Sequence, residues 1–336
     1  LTSKFCIFNI CPRRKMLLGK SLNIYVGLLL YLFSIKIIET APIYTIDRIP
    51  TVNETKACKF SKIIIFGDST CDNGNTWRIS GHTYPPEGYY EGRFSNGPTW
   101  AEYLGEYCHS EVENYAYGGA TSDSKFVPAT SGFKNKLIPV PGIKQEINDI
   151  YLPIAKNTSN TIINFDRTLF AVMLQGNDYI GVKKFVNPAH VVYNLYEQWT
   201  VLAKFGAKHI IINNFFNFKY LPMSWYRRFL FSFVSYAHNL SIKYYVWKFK
   251  REYKNVNLYI LPMDEIWEEL QQPSVREQLG LTDFSTPCVT KNDDNSIASV
   301  CTNKDQHFYW DSLHPSTKVH KFVGFRAYQI LQNQNN

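Results

Sequence analysis

Short runs of β-branched and aromatic residues, spaced by helical stretches long enough to cross over a sheet, constrain this chain most. Lys62–Phe66 (KIIIF), Thr168–Leu174 (TLFAVML), His209–Asn213 (HIIIN) and Val256–Leu261 (VNLYIL) each read as a buried strand. Glu111–Ala116 is a further short strand that runs into Gly118-Gly119. Helical spacing falls over Pro98–Tyr107, Ile143–Ile150, Pro188–Phe205, Trp225–Tyr253, Asp264–Leu270 and Ser316–Gln332. Strands without alternation are apolar on both faces. Strands of that kind separated by helices predict an α/β fold with a parallel sheet covered on both sides. No repeat, low-complexity tract or interdomain linker interrupts the pattern, so 61–336 reads as a single domain behind a polar linker at 41–60.

Residues 1–40 read differently. Arg13-Arg14-Lys15 precede Met16, an apolar run spans Leu22 to Ile38, and Thr40-Ala41-Pro42 follows. That order is the layout of a secretory signal peptide; the alternative is an uncleaved membrane anchor. This segment also carries most of the charge. The chain is +8 overall, and residues 1–40 supply +5 of it. No Lys/Arg block for a nucleic-acid footprint remains elsewhere. Secretion to the extracellular space agrees with sequons at Asn53, Asn157 and Asn239, the candidate glycosylation sites. It also makes cysteine pairing favourable. Cys288 and Cys301 bracket the polar loop KNDDNSIAS and are the disulfide candidate. Among Cys58, Cys71 and Cys108 one must stay unpaired, and the sequence does not say which. No Cys/His cluster suggests a metal, and no cofactor is expected.

In parallel α/β sheets, chemistry collects beyond the C-terminal strand ends. Asp68-Ser69, Gly118-Gly119 and Gly176-Asn177-Asp178 follow strands, and Asp311-Ser312-Leu313-His314-Pro315 comes near the C-terminus. Each cluster alone is ordinary turn material. Together they supply nucleophilic acyl transfer. A serine hydroxyl needs a base, which His314 provides. Asp311, three residues earlier, can orient the imidazole and stabilise its charge. The Ser69 and Gly119 backbone N–H groups and the Asn177 amide would form the oxyanion hole. The other histidines, His82, His109, His190, His209, His238, His307 and His320, read as surface or structural. Asp72 reads as ordering the turn after Ser69, and Asp178 as a local hydrogen-bonding residue.

These blocks carry a family resemblance. Gly67-Asp68-Ser69-Thr70-Cys71-Asp72-Asn73-Gly74-Asn75 matches the pattern GDSxxDxGN of GDSL-type lipase/esterases in the SGNH hydrolase superfamily. Asn114-Tyr115-Ala116-Tyr117-Gly118-Gly119-Ala120 is similar to NxAxGGA, Gly176-Asn177-Asp178 to GxND, and Asp311 to Pro315 to DxxHP. Glu91 to Pro98 (EGRFSNGP) resembles a stretch of fungal and plant secreted members. The resemblance spans roughly 60–330 with the blocks in the family's order. It implies a three-layer, flavodoxin-like α/β/α sandwich with a five-stranded parallel sheet. Ser69 would be the nucleophile, His314 the base, Asp311 its partner, and Gly119 and Asn177 the oxyanion donors. The serine lacks a GxSxG elbow, which sets it apart from α/β-hydrolases.

The expectation is a secreted, metal-independent serine ester hydrolase acting on an acylated carbohydrate or lipid, as a monomer. Short-chain or carbohydrate acetyl esters are favoured over lipid acyl esters. The one feature pointing to lipid is the basic, aromatic stretch 225–253, which reads first as a core-covering helix and second as a membrane-surface contact. The rival of another class is a binding protein that keeps the fold without turnover.

Overall fold

Ile63, Ile64, Ile65 and Phe66 have no polar atoms to leave unsatisfied, and all four are buried at the centre of the sheet. They belong to β1 (Lys62–Gly67). The computed structural model describes residues 48–157, 163–180, 182 and 184–333. The signal or anchor segment expected over 1–40 therefore lies outside the described residues.

After β1 come α1 (Asn75–Ile79), α2 (Trp100–Cys108) and β2 (Glu111–Asn114). A small hairpin follows, β3 (Thr130–Phe133) with β4 (Lys136–Pro139). The helical stretch 143–157, here α3, widens to a π-helical turn over Glu146–Tyr151. Next are β5 (Thr168–Met173), α4 (Pro188–Phe205), β6 (His209–Asn213), α5 (Trp225–Glu252) and β7 (Asn257–Leu261). The chain closes with α6 (Met263–Glu269), α7 (Pro273–Leu279), the hairpin β8 (Val289–Lys291) and β9 (Ile297–Val300), and α8 (Thr317–Asn333).

Five strands form one parallel sheet in the order β2-β1-β5-β6-β7. The chain steps outward once, from β1 to β2, and then reverses across β1 to β5, β6 and β7. Right-handed crossovers fix which face each connecting helix covers. The step to β2 places α2 on one face, and the reversed steps place α3, α4 and α5 on the other. α8 packs on α2 so closely that a Cβ at Gly324 would stand 2.8 Å from the Trp100 carbonyl oxygen. The result is the expected three-layer α/β/α sandwich with a five-stranded parallel sheet. The reversal point lies between β1 and β5, the place where such sheets open a crevice at their C-terminal ends.

Local capping explains the helix starts. Thr99 and Glu102 form a capping box at α2, and Asn187 caps α4 ahead of Pro188. β2 is shorter than expected and only half-buried, since Glu111, Glu113 and Asn114 suit a sheet edge. Disulfides join Cys58 to Cys108 and Cys288 to Cys301. Among the described residues Cys71 is the free cysteine, wholly buried.

Candidate active site

Ser69 stands two residues past Gly67, the end of β1. Gly67 must be small because a Cβ there would lie 2.7 Å from the Met173 carbonyl oxygen on β5. The turn after it is held by buried carboxyls. Asp68 accepts from the Thr70 N–H at 3.0 Å and the Gln175 N–H at 2.6 Å. Asp72 accepts from the Gly74, Asn75, Thr76 and Gly118 N–H groups at 2.6–3.1 Å. That ties the Ser69 turn to the Gly118-Gly119 turn beyond β2. Glu146 Oε2 accepts from the Gly67 N–H at 2.8 Å. Burial raises the pKa of Asp68 and Asp72, and raises that of Glu146 well above the usual range. Asp178 takes the Ser122 N–H and hydroxyl at 2.9 and 2.6 Å, and burial pushes it up to about 6.

His314 arrives from the C-terminal side on a tight turn closed by the Trp310 N–H donating to the His314 carbonyl at 2.8 Å. Its Nε2 lies 2.7 Å from Ser69 Oγ, and its Nδ1 lies 2.8 Å from Asp311 Oδ1. The carboxylate beside Nδ1 keeps the proton there, so Nε2 is free to accept from the serine hydroxyl. Asp311 Oδ1 also accepts from the Leu313 and His314 N–H groups, at 2.9 Å each. Its other oxygen accepts from Tyr89 Oη at 2.6 Å and from Lys291 Nζ at 2.8 Å. Burial alone would raise the Asp311 pKa. The His314 imidazole and the Lys291 ammonium beside it, with the hydrogen bonds from both, outweigh it and hold the group well below the usual carboxylate range. Lys291 is raised in turn: burial lowers it, and the Asp311 charge, the hydrogen bond to it and the nearby Tyr84 together more than offset that.

The EGRFSNGP stretch clamps this turn. The Ser95 hydroxyl donates to the Pro315 carbonyl at 2.9 Å, and Asn96 Oδ1 accepts from the Thr317 N–H at 2.8 Å. The Phe94 ring packs 5.2 Å from the His314 ring. Gly97 is required by close approach, because a Cβ there would meet Thr317 Oγ1 at 2.6 Å.

Ser69, Asn177 and His314 line one recess, with Ile180, Phe216, Leu221 and Leu313 among its apolar walls. Asp311 sits behind His314. Gly119 is not among the lining residues, but it precedes Ala120, whose carbonyl accepts from Asn177 Nδ2 at 2.8 Å. That leaves the second amide hydrogen of Asn177 available. Neither the Ser69 N–H nor the Gly119 N–H meets an acceptor among the described residues. Gly119 has φ +90°, and a Cβ there would stand 2.1 Å from the Thr130 carbonyl oxygen, so only glycine fits.

Sequence reasoning missed Lys291, Tyr89 and Glu146. Lys291 is 20 residues from Asp311 and Tyr89 is 222 residues away, and neither stands in a motif. Cys71 takes no part in proton transfer. Burial raises its thiol pKa far beyond the ordinary value, with the Trp100 indole N–H donating to its sulfur at 3.3 Å. His320 is buried too and pushed down to about 3, so it is neutral. Asn53 and Asn157 are exposed, whereas the Asn239 side chain bonds both the N–H and the carbonyl of Phe215 at 2.8 Å. No group of side chains fit to hold a metal occurs among the described residues.

Comparison with known proteins points the same way. The family model of the GDSL-like lipase/acylhydrolases matches residues 63–326. The thermolabile hemolysin of Vibrio parahaemolyticus is 25% identical over 295 residues, 83% of this chain; the match spans 65% of that protein's length. A GDSL esterase/lipase of Arabidopsis thaliana is 21% identical, with 84% of this chain and 92% of the relative covered. The phosphatidylcholine-sterol acyltransferase of Aeromonas hydrophila is 45% identical over 65 residues, 19% of each chain. Among solved structures, a family two carbohydrate esterase of Clostridium thermocellum superposes with TM-score 0.45 at 15% identity, over 83% of this chain and 66% of that one. With that family's model matched over most of its length, and the family's motif blocks drawn to one end of the sheet, the chain belongs to the GDSL-like lipase/acylhydrolases.

Proposed function

We propose that the chain cleaves its ester through an acyl-enzyme on Ser69. The observation that carries this is the unbroken relay from Ser69 Oγ through both nitrogens of His314 to a buried Asp311, at 2.7 and 2.8 Å. Ser69 Oγ attacks the ester carbonyl while its proton passes to His314 Nε2. The carbonyl oxygen becomes an oxyanion facing the Ser69 and Gly119 N–H groups and the Asn177 amide. His314 returns the proton to the departing alcohol. A water then loses its proton to Nε2 and attacks the acyl carbonyl, and collapse restores Ser69 and frees the acid. Asp311 holds the imidazole in register and stays ionised throughout.

Short acyl groups are the first reading of the substrate. The recess beside Ser69 is apolar and holds only about 40 Å³, room for a few water-sized groups. A lipid acyl ester is the second reading. It is favoured by an exposed apolar face on α5, and the Aeromonas relative is named for phosphatidylcholine. Secretion is part of the proposal, supported by the basic-apolar-small order of residues 1–40 and by two disulfides.

The test compares the protein with Ser69→Ala on p-nitrophenyl acetate, p-nitrophenyl palmitate and acetylated xylan. Hydrolysis that Ser69→Ala abolishes is expected, with acetate ahead of palmitate. Equal turnover by Ser69→Ala would remove Ser69 as nucleophile, and palmitate ahead of acetate would favour the lipid reading.

A further inference from the structure

Helix α5 has two apolar faces, and the fold covers one of them. Ser235, His238, Ile242, Val246 and Phe249 are buried against the body of the protein. Trp225, Tyr226, Phe229, Leu230, Phe233 and Tyr236 are all more than half exposed, Trp225 at 75%. At 3.6 residues per turn these six fall within an arc of about 140°, on the side opposite the buried residues. No residue from Trp225 through Val234 is buried. Single exposed apolar side chains are ordinary, but six on one face form a patch of the kind that marks an interaction site.

The charge on this helix selects the partner. From Trp225 to Arg251 it carries Arg227, Arg228, Lys243, Lys248, Lys250 and Arg251 and no acid. Arg227 and Arg228 flank the apolar arc, and neither has an ion pair among the described residues. Exposed Lys219 lies just upstream. A second copy meeting this face through a two-fold axis would set the same cations near one another. An aromatic apolar face edged by arginines suits the interfacial layer of an anionic bilayer, with rings at headgroup depth and guanidinium groups on phosphates.

The patch also adjoins the recess. Leu221, just before α5, lines the recess with Ser69. Phe218 fills the space beside Gly176, where a Cβ would lie 2.6 Å from its ring, and packs 5.7 Å from Phe231 on α5. The Tyr309 hydroxyl donates to the Tyr220 carbonyl at 2.8 Å, which ties the start of α5 to the segment carrying Asp311.

We propose that the Trp225–Tyr236 face of α5 docks on an anionic phospholipid surface and holds the mouth of the Ser69 recess against it. The proposal deepens the lipid reading of the ester hydrolase. Its test uses the full chain carrying Ser69→Ala, so that vesicles are not consumed, in co-sedimentation with phosphatidylcholine vesicles with and without phosphatidylserine. Binding to the mixed vesicles is expected. It should weaken about tenfold or more with Phe229→Glu plus Phe233→Glu, and likewise with Arg227→Glu plus Arg228→Glu or at high salt. Each face variant with Ser69 intact should hydrolyse soluble p-nitrophenyl acetate at the parent rate, which also reports folding. Absent vesicle binding, or binding indifferent to the face variants, overturns the docking. So does a dimer in size-exclusion chromatography that the same variants dissolve, because the face then meets its own copy. Vesicle binding with no ester hydrolysis by the Ser69 protein supports the docking and overturns the hydrolase reading instead.

Discussion

Lys291 Nζ lies 2.8 Å from Asp311 Oδ2, the carboxylate oxygen that His314 leaves free. The lysine is delivered by β8, within the hairpin that the Cys288–Cys301 disulfide closes. Asp311 is therefore compensated from two sides, by the imidazole on one oxygen and by Lys291 and Tyr89 on the other.

Lys291→Met should lower kcat about tenfold with little change in KM and reduce stability by about 2 kcal/mol, the scale of one hydrogen bond to a charged group. The sign with pH follows from the depressed Asp311 pKa. A carboxyl lowered by folding contributes stability that is present above its unfolded value, near pH 4, and lost as pH falls toward the folded one. Without Lys291 the depression is smaller, so the acid loss should be smaller and complete at a higher pH. Urea unfolding at pH 7 and along an acid series checks both.

Asn177→Ala should leave KM nearly unchanged and cut kcat by about 10²–10³, the usual cost of one oxyanion donor. Steady-state kinetics on p-nitrophenyl acetate decide it. A raised KM at unchanged kcat would make Asn177 a substrate-binding residue instead.

Glu146→Gln should flatten the dependence of stability on pH. Burial raises the Glu146 pKa in the fold. Its contribution is fully present below the ordinary carboxylate range and is lost as pH rises toward the raised folded value. Glutamine can still accept from the Gly67 N–H but does not ionise. The variant should match the parent in acid and exceed it at neutral pH, as measured by thermal unfolding across pH.

Cys288→Ser plus Cys301→Ser should cost about 3 kcal/mol, as expected for opening a short covalent loop. It should also lower kcat as Lys291→Met does, because the hairpin then holds Lys291 less firmly. Adding Lys291→Met to that variant should lower kcat little further.

Much of the fold and site was legible because the strands speak for themselves. Ile63 to Phe66 and Thr168 to Met173 have no polar face and can only be central. Ser69, Gly119, Asn177, Asp311 and His314 each occupy a short motif beside a strand end or turn. Lys291 was not legible. It sits in a polar loop by composition, and only the hairpin and its disulfide turn it toward Asp311. Tyr89 and Glu146 were hidden for the same reason: each acts across a long sequence separation on a backbone or carboxylate that no local pattern announces. The aromatic richness of α5 was plain, but its division into a covered and an uncovered face required knowing where the sheet lies. Edge strand β2 stops at Asn114, short of the Ala116 that its sequence suggests, because its polar residues blur where pairing stops. The hairpins β3–β4 and β8–β9 are too short and too polar to read as strands.

Ser69 is proposed as the nucleophile, with His314 as the base that activates it. Peptide mass spectrometry after treatment with a fluorophosphonate tests it most directly. A phosphonyl adduct on Ser69 is expected in the native protein, lost in Ser69→Ala and strongly slowed in His314→Ala. Folded protein that hydrolyses esters yet carries no adduct on Ser69, or carries it on another residue, would contradict it.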